Sequence, residues 1–414
     1  MQSSRLSRKS KLNLLLVFFW IVYDERMENG NVALDQLLTQ AVNDGASDLH
    51  IRVGIPPLIR RDGELWPLRE YEKVTAEQAS SLIDDSMTEQ QKIDFMKRKA
   101  FDFAYSVDGV GHFRCAYFLQ QGKTSMIYRS IPGNVPSLDQ IQAPQCLIEL
   151  SKRRKGLILV TGPTGAGKST TLAAFLDYIN ATRREHILTI EDPIEYVYTP
   201  RLCNVNQREV GVDTPGFHDA LRDGLREDPD VILVGEMRDL ETTEIAIRAA
   251  ETGHLVLGTL HTNDSVSTIS RVIDQFTAEK QQQIRVMLAA SLTAVISQTL
   301  VPRADGKGRI AAHEVLVCND PVRANIRNGK LEQIRSTIQT SFNEGMQTMD
   351  RALAYYVHEG IIEEAIAEGH AVNVREFTQT LEDLKRGAHV ARPDIIMSNP
   401  LAATAEALEA LVAV

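Results

Sequence analysis

The sequence is poor in cysteine and carries no excess of positive charge. Its 414 residues include four cysteines, Cys115, Cys146, Cys203 and Cys318, which lie far apart and form no C-x-x-C pair. This spacing argues against a disulfide framework and a thiolate zinc site, and it fits a reducing compartment. The net charge of −10 argues against binding to duplex DNA, because DNA-binding proteins usually present a basic surface. We therefore expect no nucleic-acid partner.

No long apolar run is found near the amino terminus either. Residues 14–23 are apolar and follow a basic stretch, as in a signal peptide, but they are too few to cross a bilayer as a helix. The acidic residues Asp24 and Glu25 follow where a small-residue cleavage site would be needed. Residues 1–26 could form a peripheral membrane anchor, an export signal, or an extension before a start at Met27. We expect the third, with residues 1–26 outside the fold.

The chain is long enough for two or three domains, and 43 % apolar with 24 % charged residues is typical of a globular protein. Residues 27–131 show an α+β pattern with amphipathic helices and alternating strands. The predicted helices are 32–43 and 76–96, and the predicted strands are 47–53, 101–105, 111–118 and 125–131. Residues 132–146, which contain two prolines near their start, are predicted to be a linker.

A second domain is predicted over residues 147–370. Short apolar runs alternate with helical segments there, as expected for strands buried on both faces of a parallel sheet. These runs are 156–160, 187–190, 231–234 and 255–260, and the helices between them include 215–225 and 240–251. The part after about Ile310 is predicted to be mostly helical, and residues 371–414 to be a tail. The fold class is therefore α/β with a smaller α+β domain in front.

A phosphate-binding loop, G-x-x-x-x-G-K-[ST], lies between the first of these strands and a helical run. Its residues, with the one that follows, are Gly162, Pro163, Thr164, Gly165, Ala166, Gly167, Lys168, Ser169 and Thr170. A strand, a glycine turn and a helix start bring several backbone N–H groups to one phosphate chain. Lys168 can reach the β- and γ-phosphates, and the Ser169 hydroxyl can ligate Mg²⁺. The loop predicts a nucleoside triphosphate site, with ATP and Mg²⁺ as cofactors.

Hydrolysis also needs a group that orients water, and two acidic strand ends qualify. Glu195 lies shortly after the strand that ends at Ile190, and Glu236 follows the strand that ends at Val234. Ligands of parallel sheets bind at the carboxyl ends of strands, so both carboxylates should meet the γ-phosphate. Usual phosphate-loop enzymes place an aspartate on the second strand. Here we expect Ser169, waters and Glu236 to hold the metal.

Further candidates flank these strands. Glu191 and Asp192 either take part in the site, or fix the loop, or cap a turn. His261 follows the strand 255–260 at the same sheet edge, where it contacts a phosphate oxygen, relays the nucleotide state to a neighbour, or is purely structural. His254, at the opposite end of that strand, is the weaker candidate.

Four motifs in this order resemble a known family. They are the phosphate loop, the acidic box 191–195, the segment 234–239 with sequence VGEMRD, and the histidine-containing segment 253–262. The chain from about Met27 to Leu353 resembles the secretion ATPase superfamily of type II secretion and type IV pili, and within it the type IV pilus retraction ATPases, the PilT/PilU family.

This resemblance implies an N-terminal PAS-like domain and a C-terminal RecA-like ATPase domain, assembled as a cytoplasmic homo-hexamer at the inner face of the inner membrane. It implies an ATPase that acts on the inner-membrane platform protein of the pilus and drives pilus retraction and twitching motility. By the same resemblance Lys168 is the loop lysine, Glu236 the Walker B glutamate, Glu195 the acidic-box catalytic carboxylate and His261 part of a histidine box. Arg114 and Arg129 correspond to arginines of the N-terminal domain that reach the nucleotide.

Three features separate the subfamilies. Between Pro302 and Ile310 the chain lacks the four-cysteine insert of the secretion ATPases. It also lacks the long extra N-terminal domain of the pilus assembly ATPases. Its segment 345–350 resembles the retraction type. Segment 321–328, PVRANIRN, departs from the A-I-R-N-L-I-R-E pattern of retraction ATPases. The alternatives are therefore a pilus-assembly or type II secretion ATPase, or an accessory retraction ATPase that acts with a paralogue. A nucleic-acid motor and a non-hydrolysing regulatory subunit are further hypotheses.

Overall fold

The computed structural model describes residues 33–61, 63–131, 135–388, 390, 392–398 and 400–401. The extension predicted for residues 1–26 lies outside the described residues. The described chain forms two compact units, one ending at Ile131 and one starting at Val135. None of the described helices has the length and apolar character that a bilayer crossing requires.

The first unit is an antiparallel sheet of order β3-β2-β1-β6-β5-β4 with three helices. In chain order its elements are α1 (Leu34–Asn43), β1 (Asp48–Arg52), β2 (Leu58–Arg61), β3 (Glu64–Pro67), α2 (Ala76–Ser86), α3 (Glu89–Arg98), β4 (Ala100–Val107), β5 (Gly111–Gln120) and β6 (Lys123–Ile131). The α+β prediction is confirmed, while the likeness to PAS domains stays a prediction.

Two details of this unit differ from the sequence analysis. The single helix predicted over 76–96 is two helices, because Thr88 caps the start of α3. The Thr88 side chain accepts a hydrogen bond from the backbone N–H of Gln91, and the Gln91 side chain accepts one from the backbone N–H of Thr88. The hairpin β2–β3 was not predicted.

The second unit is built on a seven-stranded sheet of order β13-β12-β7-β11-β10-β8-β9. Its elements are α4 (Cys146–Ser151), β7 (Gly156–Thr161), α5 (Lys168–Thr182), β8 (His186–Glu191), β9 (Asn204–Glu209), α6 (Phe217–Gly224), β10 (Val231–Val234), α7 (Leu240–Thr252), β11 (Leu255–Leu260), α8 (Ser265–Asp274), α9 (Ala278–Ser291), β12 (Leu292–Pro302), β13 (Arg309–Val317), α10 (Asp320–Arg327), α11 (Glu332–Thr340), a 3₁₀ turn (Phe342–Glu344), α12 (Met349–His358), α13 (Glu364–His370) and α14 (Val374–Lys385).

All neighbouring strands of this sheet are parallel except β12 and β13, which are antiparallel. The alternation along β7 shows how both faces are covered, since Leu157 and Leu159 face one apolar core while Ile158 and Val160 face the other. A parallel sheet packed on both faces is what the continuous apolar runs predicted. The RecA-like α/β prediction is confirmed.

Three predictions for this unit need correction. The chain after Ile310 is not helical at first, because β13 continues to Val317 and pairs with β12 along its whole length. The range 132–146 predicted for the linker includes part of the second unit, because Leu138 and Ala143 are buried in the same core as Ile158.

The tail also begins later than predicted at 371. Helix α14 (Val374–Lys385) buries Phe377 and Leu381 in a cluster with Leu353 of α12. Burial of these side chains ties the helix to the fold. Ile396 is buried in the same core as Ile158, so the compact part of the unit continues to Ile396.

Candidate active site

The phosphate loop follows β7 in a conformation that requires glycine. Gly162, Gly165 and Gly167 have φ values of +145°, +79° and +86°, which L side chains rarely adopt. Gly167 directly precedes α5, whose first residue is Lys168. The free N–H groups of the first turn of this helix and the preceding loop form a cradle for an anion.

Gly162→Ala should damage this loop more than Gly165→Ala. A Cβ at Gly162 would lie 2.2 Å from the backbone oxygen of Gln298, whereas no atom lies within 4 Å of one at Gly165. We expect a loss of about 2–4 kcal/mol in the free energy of unfolding for Gly162→Ala and about 1 kcal/mol for the matched control. Urea unfolding followed by circular dichroism measures both, and equal losses would contradict the close approach.

Lys168 lies folded back over the loop. Its Nζ donates to the carbonyl oxygens of Gly162 (2.9 Å) and Pro163 (3.1 Å) and lies 3.5 Å from Nδ1 of His261. Burial lowers the pKa of Lys168, while the charges of Glu236 and Glu195 act against this shift. The ammonium group therefore lies among carbonyls and carboxylates, where a phosphate chain would supply a stronger partner.

The carboxyl ends of β8, β10 and β11 converge on this loop because β11 and β10 lie between β7 and β8 in the sheet. A cavity of about 420 Å³ opens there. Its lining includes most of the predicted site residues, namely Thr164, Gly165, Ala166, Gly167, Lys168, Ser169, Thr170, Glu195, Glu236 and His261. The phosphate loop and the two acidic strand ends therefore meet at one cavity, as predicted, and all of the residues that form it belong to the second unit.

Glu236 is held in place by two cationic or polar side chains. Its carboxylate pairs with the guanidinium of Arg238, and its Oε1 lies 2.9 Å from Nε2 of His261. Burial raises the pKa of Glu236, but Arg238 and His261 outweigh it, so the pKa lies below the usual value. If Nε2 of His261 carries the proton, Nδ1 accepts from Lys168, and one tautomer satisfies both neighbours. His261 thus links the carboxylate to the loop lysine.

Glu195 is exposed at the cavity, and its loop is anchored by buried residues below it. Glu191, which is 8 % exposed, accepts from the hydroxyl of Thr189 (2.6 Å), from Nε2 of Gln207 (3.3 Å) and from the backbone N–H of Glu195. Gln207 also donates to the backbone oxygen of Tyr196 at 2.8 Å. Of the two roles left open for Glu191, these contacts favour fixing the loop that carries Glu195.

The burial of Glu191 raises its pKa to about 7. Between about pH 4.5 and 7 the Glu191 carboxyl keeps its proton in the folded protein, whereas in the unfolded chain it has lost it. The free energy of unfolding therefore falls as the pH rises through this range. Relative to the wild type, Glu191→Gln should gain about 2 kcal/mol in the free energy of unfolding between pH 5 and pH 8. Urea unfolding at both pH values measures this difference. The exposed control Glu251→Gln should show no such gain, and a pH-independent difference for Glu191→Gln would contradict the shift.

Two predicted residues, Arg114 and Arg129, lie in the first unit. They are directly opposite each other on β5 and β6, and both are exposed. Arg129 donates from Nε to Asp48 at 2.8 Å. Their contact with the nucleotide stays a prediction. His254 lies at the amino end of β11, with its Nδ1 3.0 Å from the backbone oxygen of Ala249, and it does not line the cavity with His261.

The structure adds residues that the sequence analysis missed. Gln298 of β12 donates to the backbone oxygen of Ala166 (2.6 Å) and accepts from Thr171 (2.9 Å), while Leu300 and Arg309 line the cavity. No local motif marks these residues, since only the pairing of β12 with β7 brings them to the loop.

The oxygen donors of the cavity suit a magnesium ion that arrives with the phosphates. Ser169 supplies a hydroxyl on the first turn of α5, and Glu236 supplies a carboxylate, both of which are hard ligands. Among the described residues no cluster of three or more histidine, cysteine or acidic side chains could hold a metal alone. This donor set fits Mg²⁺ held largely by nucleotide and water.

The fold and the site define a RecA-like phosphate-loop nucleotide-binding protein. A family model for the type II/IV secretion system protein matches residues 137–317. The type IV pilus retraction ATPase PilT of Pseudomonas aeruginosa is 49 % identical over 80 % of this chain and 95 % of its own length. PilU, the type IV pilus ATPase of the same organism, is 40 % identical over 82 % and 89 %. The chain belongs to the PilT/PilU family of the type II/IV secretion ATPases.

A solved structure agrees with this assignment. The crystal structure of the pilus retraction motor PilT with bound ADP is 44 % identical and superimposes with a TM-score of 0.80, covering 84 % of this chain and all of that one.

Proposed function

We propose that this chain hydrolyses Mg-ATP as a homo-hexameric motor and powers type IV pilus retraction and twitching motility. The convergence of Lys168, Glu195, Glu236 and His261 on one cavity beside the glycine cradle carries the proposal, because it supplies phosphate binding and water orientation together. The family membership supports the biological role, since the relatives include a retraction ATPase and a retraction motor.

The proposed working cycle gives each of the predicted site residues a role. ATP and Mg²⁺ bind at residues 162–170, and Glu195 or Glu236 orients the attacking water. Arg114 and Arg129 approach the γ-phosphate when the small domain closes and stabilise the charge of the transition state. Phosphate release lets this domain swing back, and the ring transmits the motion to the inner-membrane platform protein. The motor therefore works in the cytoplasm at the inner face of the inner membrane.

The accessory role with a paralogous retraction ATPase is the second candidate, and segment 321–328 favours it. Most of this segment lies in α10, where Val322 and Ile326 are buried and Arg323 donates to the backbone oxygens of Ala289 and Ala290. Asn325 and Arg327 are less buried and thus available for contacts that distinguish one subfamily from another.

Deletion of the gene, with scoring of surface pili and twitching, tests the role. Excess pili without motility are expected. Bald cells would indicate an assembly ATPase instead. Normal twitching together with reduced retraction force would favour the accessory role. A phosphate-release assay on the purified protein separates an ATPase from a regulatory subunit, and stimulation by DNA would revive the nucleic-acid motor.

A further inference from the structure

Gln298 of β12 contacts the phosphate loop at both of its ends. It follows Ser297, which pairs with Thr161 at the last position of β7, so Gln298 lies beside the start of the loop. A Cβ placed at Gly162 would lie 2.2 Å from the Gln298 backbone oxygen, so the two backbones are in close contact there. At the other end of the loop, Nε2 of Gln298 donates to the backbone oxygen of Ala166 at 2.6 Å.

The orientation of the Gln298 amide is fixed by its two partners. A backbone carbonyl can only accept a hydrogen bond, so the NH₂ group of the amide must face Ala166. The amide oxygen then accepts from the hydroxyl of Thr171 at 2.9 Å, on the first turn of α5. Gln298 is 2 % exposed, so water does not compete for either bond. The side chain thus presents one defined donor to the loop.

The hydrogen bond to Ala166 determines where the next N–H group points. The peptide between Ala166 and Gly167 is trans, and in a planar trans peptide the C=O and the N–H point in opposite directions. Because the Ala166 oxygen points to Gln298, the Gly167 N–H points away from it. Gly167 lines the cavity, whereas Gln298 is buried behind the loop. Within the described part of the chain this N–H has no acceptor, so it is a free donor on the ligand side.

Glycine makes this peptide orientation possible but does not enforce it. Gly167 has a φ of +86°, and glycine adopts positive and negative φ about equally well. Rotation of the Ala166–Gly167 peptide by half a turn would bring the carbonyl oxygen to the cavity, where it would repel a phosphate. Two other loop carbonyls accept from Lys168, whereas the Ala166 carbonyl accepts from Gln298. The bond from Gln298 therefore favours one of the two orientations.

We propose that Gln298 is a positioning residue of the phosphate site, which holds the Ala166–Gly167 peptide so that its N–H faces the phosphates and its carbonyl does not. This inference rests on the proposed function, in that it requires a phosphate chain in the loop. Gln298 is not among the residues that line the cavity, so it acts through the loop. It sets the affinity for the phosphate chain and leaves the chemistry at the γ-phosphate to the carboxylates.

Gln298→Met tests this role, because methionine has the length of glutamine but no donor. In calorimetric titrations, Mg-ADP and inorganic tripolyphosphate should both bind roughly tenfold more weakly than to the wild type, since each loses the Gly167 N–H. KM for ATP should rise by a similar factor, while kcat changes by less than about threefold. A hydrogen bond that is equally strong in the ground state and the transition state contributes to binding and leaves kcat unchanged.

Three further variants separate the donor from the rest of the side chain. Gln298→Asn keeps an amide that is one methylene too short to reach Ala166, so its losses should match those of Gln298→Met. Thr171→Val removes the partner of the amide oxygen but leaves the donor, so affinity should fall by less than about threefold. Thr299→Val is the control, since its side chain lies on the other face of β12, with its hydroxyl 3.2 Å from Nδ1 of His370, and it should match the wild type.

Three results would overturn the inference. Wild-type affinity for both ligands in Gln298→Asn, or in a folded Gln298→Met, would show that the peptide needs no such bond. A fall in kcat larger than the rise in KM would place Gln298 in the chemical step. A loss in Thr171→Val equal to that in Gln298→Met would assign the effect to packing of the amide. In each case a wild type that binds and hydrolyses ATP leaves the proposed function standing, whereas a wild type that binds neither ligand would overturn both.

Discussion

Lys168→Ala is expected to abolish ATP hydrolysis, with a loss of at least about 1000-fold in kcat. The Nζ of Lys168 lies between the glycine cradle and the carboxylates of the opposite strands, where the β- and γ-phosphates must pass. Alanine removes the positive charge that neutralises the negative charge of the phosphates. This interaction becomes stronger in the transition state, where the negative charge shifts. A coupled phosphate-release assay measures the loss.

The fold should survive this change, because Lys168 is only half-buried and its hydrogen bonds to two loop carbonyls contribute about 1 kcal/mol each. The circular dichroism spectrum of Lys168→Ala should therefore match that of the wild type. Lys155→Ala is the matched control, since Lys155 is exposed just before the other end of β7 and should keep full activity. A folded Lys168→Ala variant that hydrolyses ATP at the normal rate would remove this loop from the reaction.

Glu236→Gln should lower kcat by about 100-fold or more while nucleotide affinity changes by less than about threefold. The substitution keeps the shape of the side chain but removes the charge that pairs with Arg238 and His261. Without the carboxylate, water next to the γ-phosphate loses an acceptor, and the link from His261 to Lys168 loses its anchor. Steady-state kinetics together with titration of Mg-ADP separates the two effects.

Glu195→Gln belongs in the same experiment because either carboxylate can orient the attacking water. The larger fall in kcat identifies the residue that acts on water, and the smaller one identifies a supporting role. Glu279→Gln, on the exposed side of α9, is the control and should leave kcat unchanged. Equal and weak effects of Glu236→Gln and Glu195→Gln would place the water-orienting group elsewhere.

The sequence predicted the central sheet well because its strands are continuous apolar runs. Residues 231–234 and 255–260 agree with the bounds of β10 and β11, and both strands are buried throughout. The polar strand β9 was missed because its residues resemble a loop, and it is a strand only through pairing with β8. Strand β12 was missed because α9 passes directly into it at Leu292 with no glycine or proline between them.

For the site, as for the sheet, the sequence predicted the residues that belong to local motifs and missed those that depend on strand pairing. The phosphate loop is local in the sequence, and the acidic and histidine residues follow recognisable strand ends, so the sequence could predict that Lys168, Glu236 and His261 lie close together. Glu191 could not be assigned to one role, since its role as an anchor depends on Gln207, which lies on the unpredicted strand β9. Arg309 could not be found at all, because its place depends on the register of β12 with β13 and of β12 with β7.

The proposed motor requires that the cradle after β7 and the ends of β8, β10 and β11 surround the outermost phosphoryl group of a bound nucleoside triphosphate. A crystal structure of the protein with Mg²⁺ and a non-hydrolysable ATP analogue tests it most directly. We expect the γ-phosphate within one bridging water of Glu236 or Glu195, with Lys168 turned from the loop carbonyls to the phosphates. A γ-phosphate remote from both carboxylates, with Lys168 still bound to Gly162 and Pro163, would contradict it.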